Sequence, residues 1–233
     1  MTEDRRLVWD GCLNVRELGG LPTVDGGRTR RGAVVRADNL DRLTAEGWEA
    51  VRAYGIRTVV DLRNEEEYRP LLGRPDGIGL VRVPLDELAG PDWWSRFGGL
   101  DGTPLAFRPY LDHCPQAVAA VVAAVAAAPP GGVAVHCGAG RDRTGLAVLV
   151  LLALAGATPD AIVDDYLLSA DNLRPLWAML GRPDETEAVE AVLAEAGTTA
   201  GTAIRETLAE FDPAAYLPAA DAAAVRARLV GAH

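Results

Sequence analysis

Apolar residues fall into two kinds of run along this chain. Four runs are short, continuous and rich in valine: AVVRAD (33–38), RTVVDLR (57–63), GLVRVPL (79–85) and GGVAVH (131–136). They predict strands, and GGVAVH, a short continuous apolar run, predicts a strand central in the sheet. The longer runs carry helix punctuation. TAEGWEAVRAYG (44–55) opens on Thr44 as an N-cap and stops at Gly55. PQAVAAVVAAVAAA (115–128) begins with a proline and is apolar almost all round, which predicts a helix buried on most sides. RTGLAVLVLLALAG (143–156) predicts a second buried helix, and TPDAIVDDYLLSA (158–170) a third, with Thr158 as cap and Pro159 at its first position. Residues 171–231 read as helical throughout, with stops at Gly181, Gly197 and Pro213.

Three stretches break the periodicity. LNVRELGG (13–20) ends in a glycine pair, and VDGGRTRRG (24–32) has the turn chemistry of a hairpin loop. Residues 86–104 are rich in Gly, Pro, Asp and Trp and predict a long loop with one short helix around Trp93 and Trp94. Strand and helix runs alternate, so the expected class is α/β: a central, mostly parallel sheet flanked by helices, with a helical C-terminal extension. A length of 233 residues fits one domain over 1–233.

Composition narrows the function. The chain carries 23 basic and 33 acidic residues, a net charge of −10, and all its basic residues are Arg. That argues against a nucleic-acid partner but leaves an anionic substrate open, because a local arginine cluster can reverse the field inside a cleft. Three cysteines, Cys12, Cys114 and Cys137, without regular spacing suggest a reducing compartment. No apolar segment follows the N-terminus MTEDRRLVWDG, and the longest apolar run, 145–157, is too short to span a bilayer. A cytoplasmic protein without stable membrane insertion is expected. No His/Cys/Asp spacing suggests a metal site, and no cofactor is expected. The oligomeric state is left open.

One segment concentrates chemistry. VHCGAGRDRTG (135–145) joins a predicted buried strand to the start of a predicted buried helix. A helix N-terminus offers unsatisfied N–H groups and partial positive charge, which suit an anion. Gly138 and Gly140 let the backbone around Ala139 curl its N–H groups inward as a nest. Arg143, and Arg141 and Asp142 beside it, complete the loop; Arg143 can fork onto two oxygens of a tetrahedral anion. Cys137 lies at the base, where N–H donors, the helix dipole and arginines all favour its thiolate. A thiolate held under a phosphate is an in-line nucleophile. His136 is expected to support the loop by hydrogen bonding, and Thr144 either to bond the sulfur or to serve only as a first-turn helix residue. Asp61 and Arg63, at the C-terminal end of a predicted strand, can brace the loop or form an ordinary turn.

The pattern His-Cys-x5-Arg-Thr-Gly resembles the signature loop of the cysteine-dependent protein tyrosine phosphatases. HCGAGRDRTG is similar in particular to the bacterial branch that includes the mycobacterial tyrosine/lipid phosphatases, with Arg141 where that branch has Lys. LNVRELGG, RADNLDRLT (36–44), VVDLRNEEE (59–67), DDYLLS (164–169) and residues 214–229 also resemble recurrent segments of the branch, in the same order. The resemblance implies a tyrosine-phosphatase-like fold and a phosphomonoesterase. Its substrate would be a phosphorylated protein (phosphotyrosine, or phosphoserine and phosphothreonine as in dual-specificity enzymes) or a phosphoinositide. It would work through a phosphocysteine intermediate and release inorganic phosphate. It implies Asp142 as general acid, with Asp86 as the alternative that other superfamily members suggest, Arg16 as a neighbour of the oxyanion or else a structural residue, and residues 171–211 as a helical lid. Arg141 could extend recognition to multiply phosphorylated ligands. Two other readings compete: a catalytically silent phosphate-binding module and a sulfurtransferase of rhodanese type.

Overall fold

A computed structural model describes residues 5–231. Residues 1–4, within the N-terminal stretch MTEDRRLVWDG, and residues 232–233 lie outside the described residues. The strands are β1 (Arg16–Glu17), β2 (Val34–Ala37), β3 (Ile56–Asp61), β4 (Gly79–Arg82) and β5 (Gly132–His136). They form one sheet in the order β1-β2-β5-β3-β4. Only the β1–β2 pairing is antiparallel; β2–β5, β5–β3 and β3–β4 are parallel. The last strand in sequence is therefore the middle of the sheet, and every residue of β5 is buried.

The helices are α1 (Ala45–Ala53), α2 (Leu85–Phe97), α3 (Phe107–His113), α4 (Pro115–Ala126), α5 (Asp142–Leu154), α6 (Pro159–Met179), α7 (Glu185–Glu195), α8 (Ala200–Ala209), α9 (Pro213–Tyr216) and α10 (Ala219–Val230). Alternation along the strands splits the core between the two faces of the sheet. Val133 and Val135 join the larger cluster with α4 and α5, while Ala134 joins Trp9, Trp48 and Val59 on the α1 side. Burying each such Val or Leu contributes about 1.5–3 kcal/mol, so the central strand is anchored on both sides. The caps follow the sequence: Thr44 accepts the Gly47 N–H at 3.1 Å, and Thr158 accepts the Ala161 N–H at 3.3 Å.

Several boundaries differ from expectation. Residues 86–104 are largely helical rather than a long loop. The α2 helix starts at Leu85, breaks at Gly90 (φ 77°) and resumes with Pro91 at the start of a new turn. Gly-Pro reads as a loop in sequence, yet proline is well placed at the first position of a helix. Residues 107–113 form α3, which the sequence did not announce. The 158–170 helix extends to Met179, through Pro175, because Leu173, Leu176 and Trp177 continue its buried face. Pro213 starts α9 instead of ending a helix, with Asp212 as its cap. The apolar α4 buries Ala117, Val118, Val121, Val122 and Val125 on one face and leaves Ala119, Ala120, Ala123, Ala124 and Ala126 half-buried on the other.

Candidate active site

The parallel strands β2, β3 and β5 all end at one edge of the sheet, and the segment 137–141 leaves β5 at that edge to begin α5. Cys137 is 3% exposed, and its Sγ accepts the backbone N–H of Gly140 at 3.3 Å. The sulfur thus faces the inside of the turn. Gly140 has φ 69°, and a Cβ there would drive into the Ala37 carbonyl, so both conformation and space demand glycine. Gly138 is different: its φ is not positive, and a Cβ would meet Glu67 and Arg143 at 3.7 and 3.8 Å, ordinary contact distances.

Donors behind the loop hold its carbonyls outward. Asn14 Nδ2 donates to the carbonyls of Ala139 and Gly140, each at 3.1 Å. Arg36 Nη2 donates to the Gly140 carbonyl at 2.6 Å, and the Asn39 N–H to the Gly138 carbonyl at 3.0 Å. A peptide plane is rigid, so a carbonyl fixed on one side directs the next N–H to the other. These bonds turn the loop carbonyls away from the side on which the Gly140 N–H reaches the Cys137 sulfur, the arrangement of a backbone nest.

A buried cluster orients those donors. Asp165 receives Arg36 at 2.6 Å, Arg5 at 2.8 Å and Arg16 at 3.0 Å. Burial alone would raise the Asp165 carboxyl, but Arg16, Arg36 and Arg5 outweigh it and hold it well below the usual carboxylate range. Burial and the nearby Arg36 lower the Arg16 guanidinium to about 9. Arg16 is also bonded to Asn14 Oδ1 at 2.5 Å and Ser169 Oγ at 3.0 Å. It therefore stands behind the loop, acting on it through Asn14, rather than beside the anion nest.

Asp61 and Arg63 pair through two parallel bonds, at 2.9 and 2.8 Å. Arg63 also donates to Asn39 Oδ1 at 2.9 Å, so this pair braces the residue that holds Gly138. His136 is fully buried; its Nδ1 lies 3.2 Å from the Cys137 carbonyl and its Nε2 3.6 Å from Asp61. Burial lowers the His136 pKa despite Asp61, which favours the neutral ring. Thr144 is fully buried, and its hydroxyl has no partner.

Arg143 is gripped by carboxylates. Its two terminal nitrogens fork onto Glu67, one at 2.8 Å, and Nη1 lies 3.2 Å from Asp86. Asp86 is 7% exposed and also accepts Tyr110 Oη at 2.7 Å and Asn64 Nδ2 at 3.3 Å. Asp142, at the first turn of α5, is a quarter exposed; it accepts Arg141 Nε at 3.1 Å and Tyr166 Oη at 3.3 Å. Burial pushes both carboxyls above the ordinary range, against the pull of Arg143 on Asp86 and of Arg141 on Asp142. Asp86, Asp142, Arg143 and Asp101 line one small cavity with Tyr110 and Phe107. Arg141 is buried, with Nη2 3.2 Å from Glu185 of α7. Among the described residues, no group of three or more His, Cys, Asp or Glu side chains is arranged to hold a metal, and no helix is long and apolar enough to cross a membrane.

Sequence reasoning did not single out Asn14, Arg36, Glu67, Tyr166 or Asp165. Each lies in one of the segments that resemble the phosphatase branch, 13–20, 36–44, 59–67 and 164–169, but that resemblance does not say which side chain of the segment reaches the loop. Glu67 is the third of three consecutive glutamates, and nothing in that run tells which one reaches Arg143.

A family model described as the tyrosine phosphatase family matches residues 7–227. A tyrosine-protein phosphatase of Nostoc commune is 33% identical over 159 residues, covering 66% of this chain and 52% of that protein. The chain therefore spans about half the length of that relative. The triple specificity protein phosphatase PtpB of Mycobacterium tuberculosis is 32% identical over 202 residues, covering 73% of this chain and 71% of its own length. With the match running across nearly all of the described residues, the chain belongs to the tyrosine phosphatase family.

Proposed function

We propose that this chain is a cysteine-dependent phosphomonoesterase that hydrolyses phosphotyrosine, and phosphoserine or phosphothreonine where the residue reaches the loop. The observation that carries the reading is Cys137 Sγ inside the turn, 3.3 Å from the Gly140 N–H, with Arg143 one turn on at the start of α5. Cys137 attacks phosphorus; the S–P bond forms as the bond to the leaving oxygen breaks. The loop N–H groups and Arg143 stabilise the equatorial oxygens. Asp142 gives its proton to the leaving oxygen, then takes one from the water that attacks phosphocysteine and releases phosphate. The raised Asp142 carboxyl and its partial exposure support this role. Asp86, held by three donors, orients Arg143 instead. The unpartnered Thr144 hydroxyl is suited to bond the departing sulfur.

The compartment is reducing in this reading, in keeping with three free thiols. Helices between 171 and 211 cover the outer side of the loop: Leu173, Leu176 and Trp177 pack with Leu13 and Ala139, while α8 buries Ile204 in the main core. Only Leu193 of α7 is buried, so α7 is the element free to act as a lid. Rapid quenching of a reaction with p-nitrophenyl phosphate tests the intermediate. Phosphate trapped on Cys137 is expected; turnover without phosphocysteine would overturn the mechanism.

A further inference from the structure

Arg141 is the cation of the loop that the mechanism does not use. It precedes Asp142 as the residue before the first turn of α5, beside the loop that would hold a phosphate. The structure shows it already committed. Its Nε lies 3.1 and 3.2 Å from the two Asp142 oxygens, and its Nη2 lies 3.2 Å from Glu185 Oε2. Little of its side chain is exposed. Glu185 is fixed in turn: its other oxygen accepts Arg182 at 2.7 Å, and it sits in the first turn of α7, where the helix dipole favours a carboxylate. Asp184 caps that helix through the Thr186 N–H at 2.9 Å. The Asp142 contact is local to the loop, whereas the Glu185 contact comes from an element with one buried residue.

We propose that Glu185 is a specificity-determining residue, which holds Arg141 against α7 and so restricts the site to ligands with a single phosphate. The inference rests on the phosphatase reading and deepens it. A guanidinium shared between two carboxylates offers little net charge to a neighbouring phosphate, and a ligand must displace Glu185 to recruit it. Phosphotyrosyl peptides and monophosphorylated inositides need only the nest and Arg143. A bisphosphorylated headgroup, or a peptide with adjacent phosphotyrosines, brings a second dianion towards a position already occupied by the Glu185 carboxylate.

The test compares ligands that differ only in phosphate count. Soluble short-chain phosphatidylinositol monophosphate and bisphosphate form one pair, and singly and doubly phosphorylated forms of one tyrosine peptide the other. The bisphosphate-to-monophosphate ratio of kcat/KM is read within each variant, so altered folding or overall rate cancels. Glu185→Gln is expected to raise that ratio by about tenfold, the size of a charge-assisted hydrogen bond gained. Glu185→Gln with Arg141→Ala is expected to return it to the wild-type value. A rise in the lipid pair alone would mark headgroup geometry as the discriminating chemistry, with Glu185 still its gate. An unchanged ratio in Glu185→Gln in both pairs, or a rise that persists without Arg141, would overturn the inference. Absence of any Cys137-dependent turnover would instead defeat the phosphatase reading beneath it.

Discussion

Asn14 Nδ2 sits 3.1 Å from the carbonyl oxygens of both Ala139 and Gly140, bridging two consecutive peptide groups of the loop across 125 positions of sequence. One side-chain amide thereby fixes the direction of the backbone that would face a phosphate. Asn14→Ala leaves both carbonyls without that donor, at a cost of about 1–3 kcal/mol in stability. The loop N–H groups would also lose their aim, so vanadate and phosphate affinity should fall more than Tm. Isothermal titration with vanadate beside thermal unfolding separates the two; a loss of Tm with full vanadate affinity would contradict the role.

The two loop glycines should behave differently. Gly140→Ala places a methyl group against the Ala37 carbonyl at φ 69°, so it is expected to destabilise the fold by more than about 2 kcal/mol and abolish turnover. Gly138→Ala meets only ordinary contacts and should stay within about 1 kcal/mol of wild type in urea unfolding. Equal losses at the two positions would contradict the geometry.

The general acid can be found by pH. An acid must be protonated to act, so kcat on an alkyl phosphate, a poor leaving group, should fall as pH rises through the raised pKa of Asp142. Asp142→Asn should remove that limb and lower kcat by about 10²–10⁴-fold, with a much smaller effect on p-nitrophenyl phosphate. Asp86→Asn should raise KM by loosening Arg143 while keeping the limb. The reverse pattern would move the proton donor to Asp86.

Asp165 links acid stability to the loop. Its carboxyl is depressed in the folded state, so its contribution is present above the unfolded carboxylate pKa, near 4, and is lost as pH falls through the lower folded value. Asp165→Asn leaves the buried Arg16 and Arg36 and the partly exposed Arg5 without their shared counter-charge and should cost about 3–5 kcal/mol at neutral pH. The penalty should shrink towards acid pH; a pH-independent penalty would mean packing, not charge, is lost.

Replacing residues 182–197 by a short glycine linker should raise kcat/KM for long phosphopeptides relative to p-nitrophenyl phosphate, because α7 buries only Leu193. An unchanged ratio would remove the lid from the account.

Much of this was legible in sequence. The β5–loop–α5 unit follows from a short valine run, a glycine pair and a long apolar helix, all local signals. The central place of β5 is legible too, because GGVAVH is a continuous apolar run; its neighbours are not, since nothing in residues 131–136 names β2 and β3 as the flanking strands. The support of the loop was hidden for the same reason. Asn14 and Arg36 meet it across more than 100 positions of chain, Asp165 meets Arg36 from as far, and polar residues do not reveal which distant carbonyl or cation they face. Arg16 shows the limit most plainly. Its segment was recognisable, but the sequence left it open between a place beside the oxyanion and a structural role; its bonds to Asp165 and Asn14 fit the structural role.

The central claim is that Cys137 is the nucleophile of a metal-independent phosphatase. Phosphate release from p-nitrophenyl phosphate, measured in the presence of a chelator for wild type and Cys137→Ser, tests it most directly. Wild type is expected to turn over and Cys137→Ser is not, with vanadate still bound by the variant. Activity that survives the substitution, or that appears only when metal is added, would contradict it.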